Sequence, residues 1–141
     1  MKKRVILAFF LTSLANFLFA QTPSTTSVKV AILNSTKFFI KQYPEDANGN
    51  PSADISLSYN NKIRKISKIT GNAELIEKVD FASKGIPKKA LSACGAWWAG
   101  AGDYFYVINA SNQFVVYKGW QDETQTEKGY HWKKFKTFKT L

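Results

Sequence analysis

Cysteine and histidine are almost missing from this sequence, which contains one of each, Cys94 and His131. A single cysteine cannot form a disulfide within the chain, so the fold does not belong to the small scaffolds that depend on disulfides. One cysteine and one histidine also cannot supply the three or four ligands of a zinc site unless carboxylates join them. We therefore predict no metal and no cofactor. Because free cysteine packs as a small apolar residue, we expect Cys94 to be buried.

Acidic residues are also few, with ten Asp and Glu against 20 Lys and Arg and a formal net charge of +10 at pH 7. Three of the basic residues precede residue 5, and without them 17 basic residues remain against ten acidic ones, a net charge of +7. For an exported protein, this balance favours an acidic protein or an anionic glycan as partner and argues against nucleic acid.

No apolar run reaches the roughly 20 residues that a membrane-spanning helix needs. The longest, Val5 to Phe19, is interrupted by three polar residues, follows the basic residues 1–4 and ends before Ala20-Gln21. This pattern is typical of a secretory signal peptide, so residues 1–20 are expected to be cleaved. The mature protein would then be secreted or periplasmic and would keep no stable membrane span. An uncleaved anchor is the alternative.

The mature chain has the length of one domain. Residues 21–27 (QTPSTTS) are polar and predict a flexible lead-in, and residues 28–141 predict a single α+β domain. A chain of this size buries roughly two-thirds of its unfolded surface, so its core needs no covalent support.

Strand patterns and short turns dominate the first half of the domain. Val28–Leu33 and Thr36–Tyr43 flank a two-residue polar break and predict a hairpin. Ile55–Tyr59 and Lys62–Thr70 flank Asn60-Asn61, which suits a two-residue turn because Asn tolerates positive φ. The isoleucines of Lys62–Thr70 are three residues apart, which fits a helix face, but the β-branched content and the preceding turn favour a strand, which would need a bulge.

The C-terminal part predicts a second set of neighbouring strands. Tyr104–Ile108 and Gln113–Lys118 form a further hairpin pattern, and Tyr130–Lys139 is expected to lie beside it. Phe135 and Phe138 are out of phase with the alternation at the start of the last strand, which predicts a bulge or a bent end.

The middle of the chain has a helical pattern. Asn72 could cap a helix over Ala73–Lys84 with Gly85 after it, and its apolar stripe would be Leu75, Ile76, Val79 and Ala82. Phe81 lies off this stripe, so an edge strand is the alternative. Pro87 could start a second helix that ends at Ala93. The predicted fold class is therefore α+β, mostly antiparallel sheet with about six to seven short strands in hairpins and one or two short helices in the middle.

Two acidic clusters resemble sites but lack the required spacing. Asp46-Ala47-Asn48-Gly49-Asn50 places oxygen donors at alternate positions, yet Leu57 occupies the position where a calcium loop needs Glu. Asp122-Glu123 lie beside Trp120, but adjacent carboxylates in one loop seldom act on one glycosidic bond.

The clearest candidate for recognition is the aromatic C-terminal third, which holds all four tryptophans. If Trp97-Trp98 is extended, the two indoles point to opposite faces and one of them can be exposed. Exposed indole and phenol rings anchor protein partners or stack on sugars, and neighbouring lysines attract acidic groups. The predicted binding residues are Trp97, Trp98, Tyr104, Tyr106, Trp120, Trp132, Lys133 and Lys134. Packing of these rings in the core is the alternative.

These patterns predict a small exported binding protein without catalytic residues. Its partner would be a protein, as for an inhibitor or immunity-like protein, and a glycan-binding module is the second possibility. A small thiol hydrolase using Cys94 and His131 is the alternative from another class.

Overall fold

A computed structural model describes residues 25–140, which form nine β-strands in two antiparallel sheets. The N-terminal sheet consists, in this order, of β1 (Ser27–Leu33), β2 (Thr36–Tyr43), β3 (Ser52–Tyr59) and β4 (Lys62–Thr70). The C-terminal sheet consists of β5 (Glu74–Leu75), β6 (Ser92–Trp98), β7 (Ala101–Ala110), β8 (Gln113–Asp122) and β9 (Lys133–Lys139). The predicted signal peptide lies outside the described residues, as does the lead-in before residue 25.

The predicted N-terminal hairpins are confirmed. Leu33 pairs with Thr36 across a two-residue loop in which Asn34 has a φ of 58°. At the β3–β4 turn, Asn60 and Asn61 have φ values of 50° and 56°. Positive φ at both loop positions is the requirement of a type I′ turn, whose twist matches that of the strands it joins.

A bulge in β4 explains the spacing of its isoleucines. The pairing of β3 with β4 shifts between Ile55 and Ser56 and leaves Ile66 as an extra residue. As a result Ile66 and Ile69 are both buried although they are three residues apart, whereas Ile63 is 71% exposed. A period of three can thus belong to a strand when one extra residue resets the alternation.

The main core lies between the two sheets and contains one face of each. The fully buried side chains of this core include Phe38, Ile40, Ile55, Leu57, Ile66, Cys94, Phe105, Val107 and Val116. We call the side of the C-terminal sheet that meets this core its inner face.

The outer face of the C-terminal sheet is covered by residues 76–91. Phe81, Ile86 and Ala90 of this segment pack on side chains of the sheet and form a second buried cluster. The sheet contributes Ala93, Tyr106, Ile108 and Val115 to that cluster.

The prediction of one or two helices in the middle of the chain was wrong. Residues 73–84 hold β5 and two 3₁₀ turns, Lys78–Asp80 and Ala82–Lys84, and residues 87–93 run into β6. Phe81, which lies off the expected helical stripe, is buried, whereas Val79 on that stripe is 79% exposed. Isolated helices of this length are marginal, so packing of Phe81 on the sheet decides the conformation. No helix in residues 25–140 has the length and apolar composition needed to cross a membrane.

Candidate functional site

The inner face of the C-terminal sheet begins in the core and ends in solvent. In one row across the strands, Cys94 faces Phe105, Phe105 faces Lys118, and Lys118 faces Lys133. Cys94 and Phe105 are fully buried, while Lys133 is exposed. Along β8 the alternation continues from Lys118 to Trp120, which is 38% exposed. The same face that forms the core therefore continues as an open aromatic and basic surface.

This surface is concave. A cavity of about 570 Å³ opens between the end of β8, the following loop and the start of β9. We call it the basic-aromatic groove, and it is lined by Lys118, Trp120, Gln125, His131, Lys133, Lys134 and Phe135. Such a volume falls within the range of ligand pockets of roughly 300–1,000 Å³.

A bulge places Phe135 in the groove. The pairing of β8 with β9 shifts between Val116 and Tyr117, which leaves Phe135 without a partner across the ladder. Its ring lies 5.7 Å from that of Phe105 and remains partly exposed. The bulge expected from the phase of the sequence is thus present, and it continues the core's aromatic surface into the groove.

The loop after β8 forms the other wall of the basic-aromatic groove. The backbone N–H of His131 donates to the carbonyl of Trp120 at 3.0 Å, and the two rings lie 6.1 Å apart. The side-chain amide of Gln121 donates to the carbonyl of Thr126 at 3.1 Å, where a 3₁₀ turn, Thr126–Lys128, closes the loop. These bonds hold Gln125 and His131 beside the exposed indole.

The rim of the groove is positively charged. Lys118 Nζ lies 3.1 Å from Asp103 Oδ1, so one of the three groove lysines is neutralised. Within residues 25–140, no ion pair joins Lys133 or Lys134 to a carboxylate. Unpaired ammonium groups beside exposed aromatic rings favour an anionic ligand that also has apolar surface.

The groove unites three of the eight predicted binding residues, namely Trp120, Lys133 and Lys134. Trp97 points to the outer face and is 42% exposed, whereas Trp98 points inward and is half-buried. The opposite directions expected of this pair are therefore observed.

The remaining three predicted residues pack on the outer face. Tyr104 and Tyr106 are buried, and Trp132 is half-buried with its Nε1 donating to the carbonyl of Lys84 at 2.8 Å. The rings of Tyr106 and Trp132 meet edge to face, with centroids 4.7 Å apart. Trp132 and Tyr106 therefore help to hold residues 76–91 on the sheet.

Sequence reasoning missed four groove residues, Lys118, Gln125, His131 and Phe135, as members of this surface. The sequence did contain one signal for this surface, since Phe135 interrupts the alternation of the last strand. A bulged residue is left unpaired in the ladder. Lys118 and Lys133 become neighbours only through the β8–β9 register, which the sequence does not show.

The single thiol is not placed for nucleophilic chemistry. Cys94 is fully buried, and burial raises the pKa of its thiol above the ordinary range. A thiol reacts as its thiolate, which this environment disfavours at neutral pH. His131, by contrast, is exposed at the groove.

The acidic loop is held by its own backbone. Asp46 Oδ1 accepts the N–H groups of Asn48 and Asn50 at 2.8 and 3.0 Å, and these bonds lower the pKa of the Asp46 carboxyl. The carboxylate thus closes a turn. Residues 25–140 contain no group of three or more His, Cys, Asp and Glu side chains that could hold a metal ion.

No protein-family model, curated protein or solved structure matches the chain. The chemistry of the groove is therefore the basis for assigning a function.

Proposed function

We propose that this chain is a small exported binding protein without a catalytic role, which engages a protein partner through the basic-aromatic groove. The proposed class is an inhibitor or immunity-like protein of a secreted enzyme or toxin, by analogy of size and export route. The observation that carries the proposal is the exposure of Trp120 and Phe135 inside a concave site whose rim lysines, Lys133 and Lys134, have no ion-pair partner within residues 25–140.

The aromatic part of the groove would provide the affinity. An indole has large apolar area and few rotatable bonds, so its burial by a partner costs little conformational entropy. Trp120 is held by the β7–β8 ladder, where it pairs with Asp103, and by the backbone bond to His131. A rigid, partly exposed ring of this kind is typical of a binding hot spot.

The basic part would select the partner and accelerate the encounter. The chain after residue 20 carries a net charge of +7, and three lysines line the groove. Complementary charge raises association rates, and salt weakens the effect. The partner's contact surface is therefore acidic with an apolar centre.

Affinity capture from an envelope extract tests the proposal, with the exported chain immobilised at low ionic strength. Trp120→Ala should weaken capture of the partner by about 2 kcal/mol, or roughly 30-fold, as expected for a hot spot. Trp97→Ala is the matched control, because Trp97 has similar exposure on the opposite face. Lys134→Ala should weaken capture less than Trp120→Ala and should reduce its salt dependence.

Equal capture by wild type, Trp120→Ala and Lys134→Ala would contradict the proposal, as would a capture that salt leaves unchanged. Loss of capture with Trp97→Ala alone would move the contact to the outer face.

An anionic glycan is the second candidate, favoured by the exposed indole of Trp120 between lysine side chains. Stacking on a sugar would change the fluorescence of Trp120. A saturable fluorescence change with a carboxylated polysaccharide, lost in Trp120→Phe and kept in Trp97→Phe, would favour the glycan over the protein.

A further inference from the structure

Three of the four sheet edges in residues 25–140 carry features that prevent strand addition. The edge strand β9 has four lysines and a bulge, and the edge strand β4 has three lysines and a bulge. Lys136 Nζ also donates to the carbonyl of Ile66 in β4 at 2.6 Å. The edge strand β5 is only two residues long. Lysines, bulges and short length are the usual means of keeping an edge unpaired.

Within residues 25–140, the fourth edge, β1, has the least protection of this kind, because its single lysine is neutralised by an ion pair. Its seven residues contain one charge, Lys29, which points inward, forms an ion pair with Glu74 and donates to the carbonyl of Ala73. Val28, Val30 and Ile32 alternate with it and are exposed. A regular edge strand with exposed aliphatic side chains is a template for pairing with another strand.

The register with β2 shows which backbone groups are free. A two-residue hairpin loop is closed by a hydrogen-bonded pair, here Leu33 and Thr36, and such pairs recur at every second residue. The N–H and C=O groups of Leu33, Ala31 and Lys29 therefore point to β2. Those of Ile32, Val30 and Val28 point to the free edge.

We infer that β1 pairs antiparallel with β1 of a second copy, about a two-fold axis through Val30. This register brings Val30 opposite its own copy and Val28 opposite Ile32. All six exposed aliphatic side chains then lie on one face, and the free backbone groups of these residues form about six hydrogen bonds between the copies. The strand is thus complementary to itself, as an isologous interface requires.

The charges also fit this register. It places Lys29 opposite Ala31 and diagonal to its own copy, about 7–8 Å away, where the ion pair with Glu74 neutralises each lysine. The lysines of β2, Lys37 and Lys41, would be separated from those of the other copy by three strand spacings, about 14 Å. This distance exceeds the Debye length of roughly 8 Å at physiological ionic strength, so the net positive charge opposes the dimer only weakly.

The groove belongs to the other sheet, at β8 and β9. Pairing through β1 therefore leaves a groove on each copy, and the inference does not depend on the function proposed for the groove.

Sedimentation velocity of the exported chain over a wide concentration range tests the pairing at physiological ionic strength. Wild type should change from the monomer mass to twice that mass as concentration rises. Val30→Lys and Val30→Glu should each remain monomeric, because like charges meet across the axis. An equimolar mixture of the two variants should form the dimer again, because opposite charges then meet.

Ile32→Lys and Ile63→Lys provide a matched pair, since both isoleucines are 71% exposed but only Ile32 lies in β1. Ile32→Lys should weaken the dimer at least tenfold and Ile63→Lys should leave it unchanged. A monomer at every wild-type concentration, a dimer retained by Val30→Lys, or a mixture of folded variants that fails to associate would overturn the inference. Loss of the dimer with Trp120→Ala would overturn it too, because the contact would then be the groove.

Discussion

The ring of Tyr104 occupies the space above Gly95, its partner across the β6–β7 pair, so that a Cβ on Gly95 would lie 2.0 Å from Cδ1 of Tyr104. Gly102 lies under the same ring, with a Cβ position 2.6 Å from Cε2. The ring also meets Tyr130 edge to face, with centroids 4.8 Å apart. Glycine on the strands thus makes room for aromatic side chains on the outer face.

Gly95→Ala should therefore destabilise the fold by about 1–3 kcal/mol, the usual cost of overpacking. Contact with Tyr130 restricts the movement of the Tyr104 ring. Chemical denaturation measures the loss in unfolding free energy. In a double-mutant cycle with Tyr104→Ala, the cost of Gly95→Ala should shrink, and strictly additive effects would contradict the proposed clash.

A second prediction concerns the β6–β7 turn. Ala99 has a φ of 51° and is exposed, so it adopts a left-handed conformation without any packing that needs its methyl group. Since this conformation costs a non-glycine residue roughly 1–2 kcal/mol, Ala99→Gly should raise the unfolding free energy by about 1 kcal/mol. Ala82→Gly, at an exposed position of a 3₁₀ turn, is the control and should lower it. A lower melting temperature for Ala99→Gly would contradict this account.

The hairpins could be predicted from sequence because their signals are local. Asn60 and Asn61 favour positive φ by themselves, and strand alternation around them sets which face is buried. The prediction of helices in the middle of the chain was wrong for the opposite reason, because the conformation there depends on contacts with residues distant in sequence. The spacing of Val79 and its neighbours suggested a stripe, but the burial of Phe81 depends on a sheet formed by strands that follow later in the chain.

The candidate site was predictable only in part, for a related reason. Trp120, Lys133 and Lys134 were expected at a binding surface because of their type, and they meet at the groove. Tyr104 and Tyr106 are also aromatic but are buried. Tyr130 packs against the first, and Trp132 and residues 76–91 cover the second, which depends on tertiary structure. Residue type cannot distinguish a ring that is covered from one that is open.

The buried thiol gives a third prediction. Cys94 lies in the core between the sheets, where burial raises its pKa, so alkylation should require global unfolding. Mass spectrometry should find native protein unmodified by iodoacetamide under conditions that modify the denatured chain completely. Rapid modification of native protein at neutral pH would contradict the packing and would restore the thiol hydrolase as a candidate.

Stability at alkaline pH gives a fourth prediction. Burial, with a smaller effect from neighbouring Tyr130, raises the pKa of Tyr104 from 10.0 to about 12. The folded state then keeps this proton more tightly than the unfolded state does. Below pH 10, protonated Tyr104 makes its full contribution to the free energy of unfolding. As the pH rises from 10 towards 12 this contribution is lost, and the free energy of unfolding falls by about 1–3 kcal/mol in total.

Denaturation at a series of alkaline pH values measures this loss. Tyr104→Phe should have a smaller decline in unfolding free energy over the same pH range. Equal declines in wild type and Tyr104→Phe would show that another group is responsible.

The charge of the groove predicts a difference between two tryptophans of similar exposure. Trp120 lies among Lys118, Lys133 and Lys134, whereas Trp97 is on the outer face, and their exposures are 38% and 42%. Iodide should accumulate near the lysines and quench Trp120 more strongly than Trp97, while neutral acrylamide should quench both alike. Trp120→Phe should therefore remove more of the iodide quenching than Trp97→Phe does, and added sodium chloride should reduce the difference by screening. Equal effects of the two substitutions on iodide quenching would mean that the lysines create no local positive potential, and the electrostatic half of the proposed recognition would then be wrong.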